Sequence, residues 1–193
     1  YKDWNGGARY GCGEYFITEA DEFYDNFLNY HPEIIILNTV EFDHPDFFKS
    51  EEQMQNSYKK FIGNLIGKKI LITQKDSFNK KFKLKVLGEH NQKNANMAYV
   101  LGKKLGIKKD VIIKSLESFP GLERRMELLG ERRGVKVFDD YAHHPTAIKA
   151  TIEAIREKYP QNRLWVIVEP HGYARTSALL KKYKGVFTGA DKV

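Results

Sequence analysis

Residues 34–37 read Ile-Ile-Ile-Leu, and Val40 follows after Asn38 and Thr39. An unbroken aliphatic run of that length is typical of a strand buried in a parallel sheet. Residues 164–168, Leu-Trp-Val-Ile-Val, make a second apolar strand. Around them, apolar residues recur at helical spacing. Met54, Tyr58, Phe61 and Leu65 share one face of a predicted helix over 51–66. A helix over 91–105 stops at Gly106, one over 110–118 stops at Phe119-Pro120-Gly121, and one over 146–159 opens behind Pro145. A last helix covers 177–187. Shorter strands are expected at 15–18, 69–73, 126–129 and 135–138, the last two joined by a charged turn ending in Gly134. Alternating strands and helices predict an α/β fold with mostly parallel sheets. The Pro120-Gly121 break divides it into residues 1–120 and residues 121–193.

Composition excludes several function classes. With 41% hydrophobic and 30% charged residues among 193, the chain reads as soluble and globular. Its aliphatic runs are too short for a transmembrane helix, and no secretory leader is recognisable. A single cysteine, Cys12, excludes an internal disulfide framework and fits a reducing compartment. The start at Tyr1 and the stop at Val193, where another strand would begin, lead us to expect a piece of a longer protein.

The formal net charge of +7 invites a nucleic-acid reading, but the charge is segregated. Residues 13–52 hold eleven acids and one base, Lys49, whereas residues 68–85 hold seven lysines and Asp76. Phe82, Leu84 and Val86 alternate with Lys81, Lys83 and Lys85, the period of a half-buried edge strand with a solvated basic face. That face lacks the aromatics and arginines of a nucleic-acid patch. Carboxylates gathered at strand ends, by contrast, can hold a hard cation.

Five polar clusters follow, nearly all at the C-terminal ends of predicted strands, where open α/β sheets bind ligands. Glu19 in Glu19-Ala20-Asp21-Glu22, with His44 in Glu41-Phe42-Asp43-His44, could ligate Mg²⁺ or Mn²⁺, or form ordinary surface hydrogen bonds. His90, Asn91 and Asn94 lie at a helix start; Asn91 and Asn94 share a face and could read a base edge, or Asn91 could simply cap. Arg124-Arg125 follow the break and could clamp phosphate or stand solvated. Asp139-Asp140-Tyr141-Ala142-His143-His144-Pro145-Thr146 crowds polar groups into a strand-to-helix turn, which packing does not explain. Glu169-Pro170-His171-Gly172-Tyr173-Ala174-Arg175-Thr176 carries an imidazole and a guanidinium suited to a carboxylate. One composite site explains these clusters better than five coincidences.

Taken in order, these motifs resemble the Mur ligase family, the ATP-dependent amino-acid ligases of peptidoglycan synthesis. The Asp-Asp-Tyr-Ala-His-His-Pro stretch is the most specific match. The resemblance implies a three-domain protein, of which residues 1–120 are the later part of the central ATP-binding domain. Residues 121–193 are the first part of a Rossmann-like C-terminal domain. A UDP-sugar domain and the phosphate-binding loop are missing, since the sequence contains no Gly-rich Gly-Lys-[Ser/Thr] run. The piece alone is therefore expected to be inactive.

The resemblance further implies ATP and Mg²⁺ (or Mn²⁺), with Glu19 and His44 on the metal. His90, Asn91 and Asn94 fall on the adenine side, Arg125 on phosphate and Asp140 on the ribose. Tyr141 and His143 shape the amino-acid pocket, and His171 and Arg175 contact substrate. His143, His171 and Arg175 are the expected catalytic residues. The expected substrates are UDP-N-acetylmuramate and L-alanine, in the bacterial cytoplasm, with neither nucleic acid nor membrane as a partner. A recycling reaction that attaches a murein tripeptide to the same sugar is the nearest alternative, and a non-catalytic nucleotide-binding module another. Two departures stand out. Asn38-Thr39 inverts the family's Thr-Asn order, and Gly172 stands where alanine-adding members often carry arginine.

Overall fold

The computed structural model describes residues 6–76, 78 and 80–193. The aliphatic run forms strand β1 (Ile34–Leu37), which pairs in parallel with β2 (Ile70–Thr73), Ile35 against Leu71 and Ile36 against Ile72. Between them runs helix α1 (Glu51–Gly63). Ser50 caps it by accepting the N–H of Gln53 at 3.1 Å, while Gln53 accepts the N–H of Lys49 at 2.7 Å. Ile35, Leu37 and Leu71 meet Phe61 of α1 and Phe27 of a preceding 3₁₀ segment (Phe23–Asn29) on one face of the pair. Ile70 and Ile72 meet Met97 and Val100 of α2 (Glu89–Lys104) on the other. Helices thus cover one face of the pair and the β2 half of the other, where Ile36 of β1 stays 44% exposed.

Helix α3 (Lys109–Ser118) packs Ile112 against Ala95 and Tyr99 of α2. Beyond Gly121 the regular pairing is antiparallel: β3 (Glu127–Arg132) and β4 (Val135–Asp139) form a hairpin. Its tip is Arg133-Gly134, at φ 51° and 77°, a two-residue turn whose positive angles suit the strand twist. Helix α4 (Pro145–Lys158) buries Ile148 and Ile152 against Val186 and the inward residues of 164–168. Helix α5 (Tyr173–Leu179) continues into a 3₁₀ segment (Leu180–Tyr183).

The α/β class holds, with four differences of detail. Residues 15–18 form no strand; they are exposed and have no sheet to join among the described residues. The apolar run 164–168 keeps only one parallel bridge, Trp165 to Lys192, because little chain lies beside it. The last helix starts at Tyr173, not 177, since Gly172 turns the chain at φ 83°.

The fourth difference concerns the alternating segment near Lys81. Phe82 is buried and Lys81, Lys83 and Lys85 are exposed, as the pattern requires, yet no strand pairs with it among the described residues. Helix side chains take the place of a neighbour. Gln92 accepts the N–H of Phe82 at 3.0 Å and donates to its carbonyl at 2.9 Å. Asn96 does the same for Lys80, at 3.3 and 2.8 Å, and Glu117 accepts the N–H of Lys83 at 3.2 Å. The backbone's polar groups are satisfied without a ladder.

Candidate functional site

The loop leaving β1 is the hub. Asn38 donates to Oδ1 of Asn94 at 3.0 Å, and Gln74 donates to Asn38 and to Thr39 at 3.0 and 2.9 Å. Further on, Asp43 accepts the N–H of His44 at 2.7 Å and allows His44 its positive φ of 53°. The His44 ring stacks on Phe23 at 4.8 Å, and its Nε2 lies 3.3 Å from Glu22 Oε1. Glu19 sits in an exposed stretch and makes no ion pair with His44 among the described residues. No group of three His, Cys, Asp or Glu among the described residues is placed to hold a metal ion. Glu22, rather than Glu19, is the carboxylate beside His44.

The start of α2 brings the nucleotide candidates together. Asn91 donates to the Leu87 carbonyl at 2.7 Å and lies 3.2 Å from His90 Nε2, so it ties the helix to the preceding loop without capping it: Gly88 is the N-cap and no side chain caps α2. Burial pushes the His90 imidazole below its ordinary value; Asp140 opposes this, and the charges of Arg125 and Lys93 add to it. His90, Arg125 and Asp140 are therefore within electrostatic reach of one another although they come from both sides of Gly121. Asp140 is a structural hub as well. Its Oδ2 accepts the N–H of Met126 at 2.9 Å and the hydroxyl of Thr151 at 3.3 Å, and its Oδ1 accepts the N–H of Ala142 at 2.7 Å.

Tyr141 joins this group to the next. Arg124 and Arg125 lie over its ring at 4.9 and 5.6 Å, and the His143 ring meets it edge-on at 5.1 Å. His143 contacts His171 at 5.4 Å between ring centroids. Its Nδ1 donates to the Tyr141 carbonyl at 2.9 Å, which leaves the lone pair on Nε2. Burial pushes His143 below its ordinary value; the Tyr141 bond and Asp43 oppose this, while Arg175 and His171 reinforce it. Imidazole cationic forms are disfavoured here, so Nε2 is a proton acceptor near neutral pH.

Arg175 does not stand free. Its Nε donates to Asp43 Oδ1, tying α5 to the β1 loop. Burial would raise the Asp43 carboxyl, but the Arg175 and His44 bonds and charges hold it below the usual carboxylate range. Glu41 makes a parallel set of contacts. It accepts the Thr146 hydroxyl at 2.7 Å, lies 3.9 Å from Lys182 Nζ, and has Nδ1 of His144, the α4 cap, at 3.6 Å.

Sequence reasoning quoted Glu22, Glu41 and Asp43 but gave them no role, and it passed over Gln74. The available signal was the i, i+2 spacing of Glu41 and Asp43 in an extended loop, which puts both carboxylates on one side. Gly172 has an explanation in backbone terms: at φ 83° a side chain is strained, although space for one is open.

Residues 124–193 match the family described as Mur ligase, glutamate ligase domain. The chain is 34% identical to the UDP-N-acetylmuramate–L-alanine ligase of Alkaliphilus metalliredigens, over 97% of this chain and 51% of that one. It is 35% identical to the same enzyme of Acetivibrio thermocellus, over 97% and 50%. The chain spans about half the length of the curated relatives it matches. The first of these alignments runs over 235 positions against a chain of 193 residues, so the relative carries residues inside the span that this chain lacks. The fold is similar to that of UDP-N-acetylmuramate-alanine ligase from Thermotoga maritima, with a TM-score of 0.69 and 21% identity over 88% of this chain and 48% of that one. It is also similar to a murein peptide ligase from Psychrobacter arcticus, with a TM-score of 0.50 and 27% identity over 76% and 39%.

Proposed function

We propose that the chain is part of an ATP-dependent, amide-forming ligase that joins L-alanine to UDP-N-acetylmuramate in peptidoglycan synthesis. The observation that supports this best is the run of ring and guanidinium contacts from Arg125 through Tyr141 and His143 to His171. In this reading residues 1–120 belong to the central domain and residues 121–193 to the C-terminal one. His90, Asn91, Asn94, Arg125 and Asp140 face the nucleotide. Tyr141, His143, His171 and Arg175 face the sugar carboxylate and the amino acid. The protein acts in the bacterial cytoplasm; no helix among the described residues is long and apolar enough to cross a membrane.

In the reaction the muramoyl carboxylate becomes an acyl phosphate with ATP as donor, and the alanine amine displaces phosphate from it. Residues here contribute charge and a proton acceptor. Arg125 and Arg175 stabilise oxyanions as charge builds. His143, neutral with its lone pair on Nε2, accepts the proton that the attacking amine must lose. Glu19 and His44 are the residues that would hold Mg²⁺, which would neutralise charge on the phosphates. The phosphate-binding loop is supplied from outside this sequence, so the chain alone should not turn over.

The likeness to the murein peptide ligase keeps a tripeptide acceptor as the second reading. Phosphate release from ATP by a polypeptide carrying this sequence and a Gly-Lys-[Ser/Thr] loop separates the two. Dependence on L-alanine supports the first reading, and dependence on the tripeptide alone replaces it.

A further inference from the structure

Arg175 and Asp43 lie 132 residues apart and are joined inside the fold, with side chains 13% and 20% exposed. Only Nε of Arg175 is used. A guanidinium carries five N–H donors in a fixed fork, so both Nη groups remain. Neither has a hydrogen-bond partner among the described residues. Nor are they sealed in: among the described residues the one buried side-chain nitrogen or oxygen without a partner is Nε2 of His144. The Nη edge is therefore open.

Asp43 is itself held. Its Oδ1 also accepts the His44 N–H at 2.7 Å. Two residues earlier, Glu41 pins the same loop to Thr146, His144 and Lys182. A carboxylate fixed this firmly sets the plane of the guanidinium it grips. His143 feels both charges, which places the pair beside the imidazole and ring cluster.

We propose that Asp43 is a positioning residue for Arg175: it takes the Nε–H and presents the open Nη edge to a ligand carboxylate. The proposal rests on the reading of Arg175 as a carboxylate contact. A guanidinium fixed before binding loses fewer rotamers on binding, which raises affinity without a new contact. The opposite role, Asp43 as a competitor that must be displaced, predicts the opposite mutant behaviour.

The test uses the ¹⁵N-labelled chain, with N-acetylmuramate as probe, N-acetylglucosamine as the control without a carboxylate, and L-alanine as the other carboxylate source. N-acetylmuramate should shift the Arg175 Nε resonance, and Arg175→Lys should abolish its binding. Asp43→Ala should weaken it about tenfold, the scale of a hydrogen bond to a charged group. Asp43→Asn keeps an acceptor oxygen and should recover most of the affinity, which a loss of fold would not allow. The native Nε–H should exchange slowly with solvent, and quickly in Asp43→Ala. A shift caused by L-alanine instead supports the same positioning with a different carboxylate. Tighter or unchanged binding in Asp43→Ala overturns the proposal. If neither carboxylate binds the native chain, the carboxylate reading of Arg175 fails. The Nε–H exchange then decides the positioning alone: fast exchange in the native chain overturns it, and protection lost only in Asp43→Ala sustains it.

Discussion

Asn38 and Asn94 are bonded side chain to side chain at 3.0 Å across 56 residues, with Asn38 as donor. Gln74 in turn donates to Asn38, so the amides run one way, from Gln74 through Asn38 to Asn94. Nδ2 of Asn94 is left as the outward donor. The inverted order Asn38-Thr39 loses nothing by this, since Gln74 reaches both side chains.

Replacing Asn38 by Asp keeps the shape and removes the donor. Two acceptors then oppose each other, and stability should fall by about 1 kcal/mol in urea denaturation. The Asn94 amide should turn over to donate toward the new carboxylate. An unmoved Asn94 side-chain resonance pair would refute the one-way arrangement.

Asp140→Ala should act on folding before it acts on any ligand. The carboxylate holds the Met126 and Ala142 amides and the Thr151 hydroxyl, and Met126 sits at a strained φ of 50°. We expect a loss of about 1–3 kcal/mol, because buried donors are left unpaired. Amide exchange should rise first at Met126 and Ala142. Exchange rates equal to those of the native chain would reject this role.

Gly88→Ala should separate α2 from α4. At φ 90° a side chain is strained, and a Cβ would stand 2.7 Å from His90 Cε1 and 2.8 Å from the Ala154 Cβ. The His90 ring can swing away, but Ala154 is fixed on a helix. A loss of about 1–3 kcal/mol is expected. Gly130→Ala, with nothing within 4 Å, is the control and should stay within about 0.5 kcal/mol.

His90 and His143 should both titrate below the ordinary imidazole value of 6.5, each chiefly because burial disfavours the cation. The folded chain then binds fewer protons than the unfolded chain at mildly acidic pH. Their contribution to stability is complete above pH 6.5 and is lost as the pH falls through the folded values. Imidazole Cε1–H shifts followed through the titration would show this directly; a midpoint above 6.5 for either ring would contradict it.

Much of this was legible in the residues. Ser50 and Pro145 mark helix starts because caps and prolines act within one turn. The Ile34–Leu37 run announces a strand of a parallel sheet, and that strand forms, although Ile36 stays exposed. The segment near Phe82 was misread for a physical reason: side-chain alternation reports an extended backbone, not its hydrogen-bond partner, and here the partner is a helix. The convergence of Asp43 on Arg175 was invisible because local pattern carries no trace of a contact 132 residues away. The bonds of Asn91 to the Leu87 carbonyl and of Asp140 to Met126, Ala142 and Thr151 show the converse, that a residue singled out for chemistry can also answer to packing.

The clamps of Gln92 and Asn96 on residues 80–82 have a consequence for the chain among its copies. An unpaired extended backbone is a template for the addition of a foreign strand. With the N–H and carbonyl of Phe82 and Lys80 already claimed by α2, one edge of that template is closed. The lysines flanking it add charge repulsion at the same border. The helix thus guards the chain against self-templated assembly, a task that sheet proteins ordinarily give to a covering strand.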